Sequence, residues 1–389
     1  MSRGNITRRG KHSWRIKLER ESAIPGKRKV HYETVRGKRQ DAEKRLTELL
    51  AQNDTGILAD PSKITVAEHV RAWIRTAEVA PKTKERYSEL CELQIVPHLG
   101  STLLQKLRPA AIVAWHKVLL EKGGRGGTPL APRTVGHAHR VLHAAIKDAV
   151  KAEILARNVV AVFSPPQVED GEVEILEDDD VPIVLAKLAS HPLGPIVATA
   201  LGTGARRGEL LALAWSHVDL DRATVHIERS LEQTRRTGGE RGLNLRFKTP
   251  KTRAGHRTLS LPASVVAVLR DLKVRQMELR LQLGLGKLPD DALVFCRPDG
   301  SPIQPSYLSR SWARACYALD LPDVSFHALR HTHASALISS GMDVVAIAKR
   351  LGHKPPIMTL RIYAHAFAKL SKDAAAADAI EKVMRGSAK

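Results

Sequence analysis

Four short stretches of the chain collect side chains that hold an anion or attack an electrophile. The first is Thr203-Gly204-Ala205-Arg206-Arg207-Gly208-Glu209, running into Leu210, Leu211 and Leu213. The second is Thr249-Pro250-Lys251-Thr252-Arg253-Ala254-Gly255-His256-Arg257, and the third is His327-Ala328-Leu329-Arg330-His331-Thr332-His333. The fourth is Leu351-Gly352-His353, with Tyr363 ten residues further on. Together they can gather two guanidiniums, an ammonium and imidazoles around one small anion, with a phenolic hydroxyl beside it. They contain no pair of carboxylates, which argues against a two-metal nuclease.

Taken singly, each residue has a plainer reading, since a lone arginine is usually half of an ion pair and a lone histidine a hydrogen bonder. His327, His331 and His333 invite a metal reading, but positions i, i+4 and i+6 do not share one helical face, and no acidic ligand stands near. The loop Gly123-Gly124-Arg125-Gly126-Gly127 suggests a phosphate cradle. It lacks a following Gly-Lys-Ser/Thr and a preceding strand, so it reads as a flexible connection.

The elements around these stretches set where each side chain stands. His327 and Arg330, three apart, share a helical face, and Arg206 and Glu209 open another helix in the same relation. Lys251, just before Ala254-Gly255, belongs on a hairpin. Strands are expected at Thr224–Ile227, Leu243–Phe247 and Arg257–Leu261, and a C-terminal helix at Asp373–Met384. Upstream, Val66, Val70, Trp73 and Ile74 have helical spacing, Thr83 is placed to cap a helix running to Pro97, and Pro109 opens another. A last helix of that region runs from Arg133 to Lys151. Near the start, Trp14, Ile16 and Leu18 alternate with charged residues, as does 30–35 after a Pro25-Gly26 turn, and Ala42, Leu46, Leu49 and Leu50 return to helical spacing.

The expected architecture is therefore multidomain and mainly α. A small β-sheet-plus-helix module occupies 1–56, a helical domain 64–163, and a mixed α+β domain 174–389. Ser164-Pro165-Pro166 and the acidic Glu169-Asp170-Gly171-Glu172 form the linker before the last.

Charge narrows the partner. The 389 residues carry 62 lysines and arginines against 41 acids, a net +21. Fifteen of those cations, against six acids, lie in the first fifty residues. So basic a chain meets a polyanion, nucleic acid before membrane, because there is no bilayer-spanning apolar run, basic amphipathic helix or lipidation signal. Cys91, Cys296 and Cys316 are too few and too far apart for a disulfide framework or zinc finger. The first residues carry no secretory signal, and both features fit a cytoplasmic protein.

In order and spacing the four stretches resemble the tyrosine recombinase, or phage integrase, family. Its signature is an arginine after Thr-Gly, a hairpin lysine, His-x-x-Arg, Leu-Gly-His and a tyrosine about ten residues later. The resemblance covers 174–389 strongly. The helical middle, through Ile95-Val96-Pro97-His98-Leu99-Gly100, is similar to the family's core-DNA-binding domain, and the basic start to the arm-site-binding module of the larger integrases. The resemblance implies Tyr363 as nucleophile, Arg206 and Arg330 as clamps on a scissile phosphate, and Lys251 as general acid to the leaving 5′ oxygen. It makes His327 an acid–base or phosphate donor and His353 a phosphate donor. No cofactor or metal is implied. The implied partners are duplex attachment sites, a homotetramer on DNA, a DNA-bending host protein and a directionality factor, with no membrane.

Two positions depart from the family text: His217 stands where aspartate is usual after Trp215-Ser216, and Pro355-Pro356 follows Leu-Gly-His where polar residues are common. Arg207 adjoins Arg206, and the glutamate three residues on selects Arg206; Lys248 also precedes a threonine and proline, and the Pro-Lys-Thr text before a glycine-containing turn selects Lys251. A type IB topoisomerase shares this chemistry, and a DNA-binding regulator without cutting activity shares the charge. The separate basic module argues against the first, and the complete set of six site residues against the second.

Overall fold

The computed structural model describes residues 4–21, 28–54, 62–168, 174–235, 242–249, 255–353, 356–357, 359–360, 362–363 and 381. The chain forms two compact units, Met1–Asp170 and Gly171–Lys389.

The first unit opens with a three-stranded antiparallel sheet, β1 (Gly4–Gly10), β2 (Ser13–Glu21) and β3 (Arg28–Arg36), in that order. Trp14, Ile16 and Leu18 alternate onto one face, where Ile16 and Leu18 pack with Leu49 of helix α1 (Arg39–Asp54) in a small apolar core. Strand β1 is additional to the two strands expected. Its single core residue, Ile6, gives no alternation to read, and Ile6 pairs with Ile16. The Pro25-Gly26 turn lies outside the described residues.

A second, larger core in the same unit is all-helical: α2 (Val66–Thr76), α3 (Pro81–Leu90), α4 (Val96–Leu99), α5 (Pro109–Lys122) and α6 (Pro132–Lys151). Thr65 caps α2 in a reciprocal box with Glu68, and Val66, Val70 and Ile74 face inward. Pro109 stands in the first turn of α5, as expected. The helix expected from a Thr83 cap instead begins at Pro81, since proline suits a first turn, whose N–H groups have no intrahelical partner. Nor does it stop at Pro97. Pro97 has no N–H to donate, and the chain passes it through a wider π turn at Cys91–Ile95, with Val96 N–H reaching Cys91 O, before α4 closes at Leu99. The Gly123–Gly127 connection turns with positive φ at Gly126 (72°) and Gly127 (80°).

The second unit comprises α7 (Asp180–Lys187), α8 (Gly194–Thr203), α9 (Arg207–Leu210), α10 (Ala263–Gln282), α11 (Pro305–Ala318), α12 (Ala328–Ser339) and α13 (Val344–Leu351). Strands β4 (Val218–Asp219), β5 (Thr224–Ile227) and β8 (Arg257–Ser260) form an antiparallel sheet, while β6 (Ser230–Arg235) and β7 (Leu243–Lys248) pair separately. The three expected strands are β5, β7 and β8. One apolar core, with Leu210, Leu211, Leu213 and Trp312 within it, joins sheet and helices. Lys251 and the Asp373–Met384 helix, apart from Glu381, lie outside the described residues.

Two glycines end helices of this unit. Helix α8 stops at Gly204 (φ 64°) and α13 at Gly352 (φ 67°), both left-handed. A Cβ on Gly204 would stand 2.5 Å from the His333 ring, so that close approach also requires glycine.

Candidate active site

Helix α8 packs directly on α12, and α12 on α13, so the ends of α8 and α13 meet beside the first turn of α12. The last carbonyls of a helix lack intrahelical donors and carry the negative end of its dipole, a natural seat for cations. Guanidiniums occupy it here. Arg330 donates from Nη1 to Gly204 O at 2.7 Å and from Nη2 to Leu351 O at 2.6 Å. Arg206 donates to Gly352 O at 3.3 Å, and Arg257 to Arg350 O at 2.7 Å. Arg350 reaches back to Gly202 O and Ser260 O.

One buried carboxylate ties this cluster together. Glu209 accepts from the Arg206 backbone N–H and side chain, and from both Arg257 terminal nitrogens, the nearer at 2.8 Å. Burial opposes its ionisation, yet Arg257 and Arg206 hold its carboxyl below the ordinary range. Arg206 keeps 41% of its side chain exposed and Arg330 is 3% exposed, so one guanidinium is buried and the other faces out. Burial pushes Arg330 down to about 9, which leaves it cationic at neutral pH.

The imidazoles divide by what they touch. His353 Nε2 accepts from Arg330 Nη2 at 2.8 Å, so its proton sits on Nδ1 and is donated to Thr359 Oγ1 at 2.8 Å. Burial first, then Arg330, lowers its pKa to about 4. His327 immediately precedes α12 and is exposed at the rim. The protein mass around it, then Arg330, Arg206 and Arg207, lowers its pKa. The i, i+3 spacing placed His327 and Arg330 on one helical face; His327 is the N-cap of α12 with helical backbone angles, its side chain exposed where that of Arg330 is buried.

Tyr363 is 5% exposed and docks on Ala334, Ile338, Ile347 and Leu351 of its own unit. Its hydroxyl lies 2.7 Å from Nδ1 of His331, and the His331 ring stands edge-on to His327 with centroids 4.9 Å apart. Burial raises the phenol to about 12, with Arg330 opposing.

Thus Arg206, His327, Arg330, His353 and Tyr363 converge on one site, whereas Lys251 is outside the described residues. Arg207 turns away to the Ser309 hydroxyl on α11. Sequence reasoning passed over His331, Arg257, Arg350 and His333 as parts of the site. His333 spends Nδ1 on Leu201 O and Nε2 on Arg350, which removes it from any joint ligand set with its two neighbours. Among the described residues no group of three histidines, cysteines or acids is placed to hold a metal.

A mainly helical unit that gathers guanidiniums and imidazoles around one buried tyrosine defines a class of protein, one equipped to hold an anion against a phenol. The model of the phage integrase family matches residues 187–369, so that stretch is a phage integrase family domain, and the relatives the chain resembles are tyrosine recombinases and integrases. A tyrosine recombinase XerC-like protein of Caldanaerobacter subterraneus is 25% identical, over 95% of this chain and 96% of that one. The integrase of Mycobacterium phage L5 is 27% identical, over 89% and 87%. Among solved structures, the Tn1549 transposon integrase bound to transposon right-end DNA superposes with a TM-score of 0.67 at 21% identity, covering 80% of this chain and 100% of that one.

Proposed function

We propose that this chain is a site-specific recombinase that cleaves and rejoins duplex DNA through a 3′-phosphotyrosine intermediate, integrating and excising phage or mobile-element DNA. The observation that carries the reading is the buried Tyr363 hydroxyl, held by His331 and within electrostatic reach of Arg330, which in turn bonds His353 beside the Arg206–Gly352 contact.

At neutral pH a phenol raised to about 12 is fully protonated and a poor nucleophile. A phosphodiester gains charge on its nonbridging oxygens as it is attacked, and preorganised donors answer that charge. Arg206 and Arg330 are the clamps, and carbonyls at two helix ends fix their orientation before DNA arrives. His327 supplies a further donor at the exposed rim, and His353 becomes a phosphate donor, the role its sequence context implies, once Nε2 leaves Arg330 and takes up a proton. Lys251 is the general acid to the leaving 5′ oxygen, an assignment that rests on its sequence context. Tyr363 Oη bonds to phosphorus, the P–O5′ bond breaks, and a 5′ hydroxyl from a partner strand reverses the step with neither ATP nor metal.

The chain divides its work among three parts. Residues 1–56 bind arm sites. There the sheet face turned away from α1 carries Arg15, Lys17 and the 54% exposed Tyr32, with the Arg15 guanidinium 5.3 Å from the Tyr32 ring centroid. Residues 64–163 grip the core site and 174–389 perform catalysis. The partners are duplex attachment sites, three further copies in a tetramer on DNA, a DNA-bending host protein and a directionality factor. The setting is the bacterial cytoplasm, at the nucleoid; among the described residues no helix is long and apolar enough to cross a membrane.

A nicked duplex carrying the core attachment sequence, identified first by binding-site selection, tests the reading. Wild type should form a denaturant-stable protein–DNA adduct. Tyr363→Phe should bind the same duplex and form none. An adduct with the phenylalanine variant would place the nucleophile elsewhere.

A further inference from the structure

His331 has no part in the roles assigned above, yet it is the one described side chain that hydrogen-bonds the Tyr363 hydroxyl. Its Nδ1 lies 2.7 Å from Oη, within the reach required of a general base. It stands in the first turn of α12, directly after Arg330, so the segment that fixes the guanidinium also fixes the imidazole. The charged and titratable groups facing it are His327, edge-on at 4.9 Å, Arg330, Tyr363 and, more distantly, His353. Among these no carboxylate competes for the phenolic proton.

Resting on the recombinase reading, we infer that His331 is the general base for Tyr363, accepting its proton as the phosphotyrosine bond forms and returning it on rejoining. Oη bonds to phosphorus while its proton passes to Nδ1, leaving an imidazolium. The P–O5′ pair departs onto the 5′ oxygen, which takes a proton from the general acid on the opposite side. In the reverse step the incoming 5′ hydroxyl attacks phosphorus while its proton returns to the deprotonated general acid, and the departing phenolate recovers its proton from His331.

The electrostatics support this order of events. Without DNA, burial, then His327 and Arg330, lower His331 to about 4, so the imidazole is neutral and its Nδ1 lone pair is free to accept. An anionic phosphate in the pocket offsets the positive charge around it and favours the protonated ring, so basicity rises when substrate is present. His327, at the rim and not bonded to Tyr363, remains available to the phosphate or to the leaving-group side.

Single-turnover cleavage of the nicked duplex tests the assignment with His331→Ala and His331→Gln. Glutamine keeps an acceptor for the buried phenol and the fold around it, but it cannot take up a proton. Both variants should bind DNA as wild type and cleave slower by about 10²–10⁴, the span of general acid–base catalysis. Free imidazole should restore part of the alanine variant's rate. A 5′-bridging sulfur substrate, whose thiolate leaves without an acid, should not rescue either variant. Restoration of near-wild-type cleavage by glutamine would overturn the proposal in favour of a purely positional bond, and rescue by the sulfur substrate would move His331 to the acid side. The recombinase reading fails separately, if wild type itself forms no adduct or Tyr363→Phe forms one.

Discussion

Buried or half-buried imidazoles occur in both units, and the contrast between them separates packing from chemistry. In the helical core of the first unit, His116 Nε2 meets His139 Nδ1 at 3.1 Å and His69 bonds Ala145 O at 2.8 Å. In the second unit His331 meets the Tyr363 hydroxyl and His353 meets Arg330. Burial depresses His139 to about 4, just as it does His331 and His353. A depressed pKa therefore marks both places equally and does not by itself identify a site. What differs is the company. The bundle histidines bond each other, beside the Trp115 ring. The second-unit pair borders guanidiniums whose only buried carboxylate partner, among the described residues, is Glu209. That surplus of positive charge is left for an anion to complete.

Removing a guanidinium should break the comparison most sharply. Arg330→Ala and Arg206→Ala should each slow single-turnover cleavage by at least about 10²–10³, the scale for losing one transition-state donor. Lysine should restore neither fully, because a point charge lacks the paired donors that Arg330 directs to two carbonyls and His353. Rates near wild type in either alanine variant would remove that arginine from the clamp.

Much of this site is legible in the amino-acid order, and its limits have physical causes. Arg206, Arg330, His353 and Tyr363 stand in short texts whose spacing is local, so the chain announces them. Arg257 and Arg350 become part of the site only because β8 and α13 come together, a contact between residues 93 apart. His331 was visible as one of three close histidines, but only the fold shows that His333 turns toward Leu201 while His331 turns toward Tyr363. Glu209 was visible as the partner of Arg206; its second partner, Arg257, lies 48 residues away. Among the helices, the signals at Thr65 and Pro109 could be read because they act within one turn. The π turn before Val96 could not, because proline at 97 states what bond is missing without stating how the backbone absorbs the loss.

The basic N-terminal module extends the same logic of unmatched charge. Its surplus of nine cations over fifty residues should act mainly through phosphates. If about 4–6 phosphates are contacted, log K for arm-site DNA should fall with log salt at a slope of roughly −4 to −5. Deleting residues 1–56 should remove that slope component while leaving cleavage of an isolated core site intact. Unchanged recombination between full sites after deletion would contradict the arm-site role.

The smallest expected effect belongs to the bundle histidines, and its direction is set by their burial. His139 lies on α6, facing His116 of α5, with His143 and Arg140 of its own helix the other groups that disfavour its protonation. Its folded pKa, about 4, is below the ordinary histidine value near 6.5. The unfolded chain therefore binds the proton more readily, so stability is fully present above pH ~6.5 and is lost as pH falls toward the folded value. Between pH 7.5 and 5 this one group should cost about 2 kcal/mol. His139→Phe keeps a ring in the core and removes the titration, so its urea midpoint should change less over that interval than wild type's. The absolute midpoint at pH 7.5 should fall, because His116 loses its partner in a buried position. Cleavage at pH 7.5 should stay within about twofold of wild type, since an acid–base role would carry an effect of ~10² or more. An equally steep acid response in the variant would show that this pair does not govern it, and a large loss of cleavage in the folded variant would erase the distinction drawn between packed and reactive imidazoles.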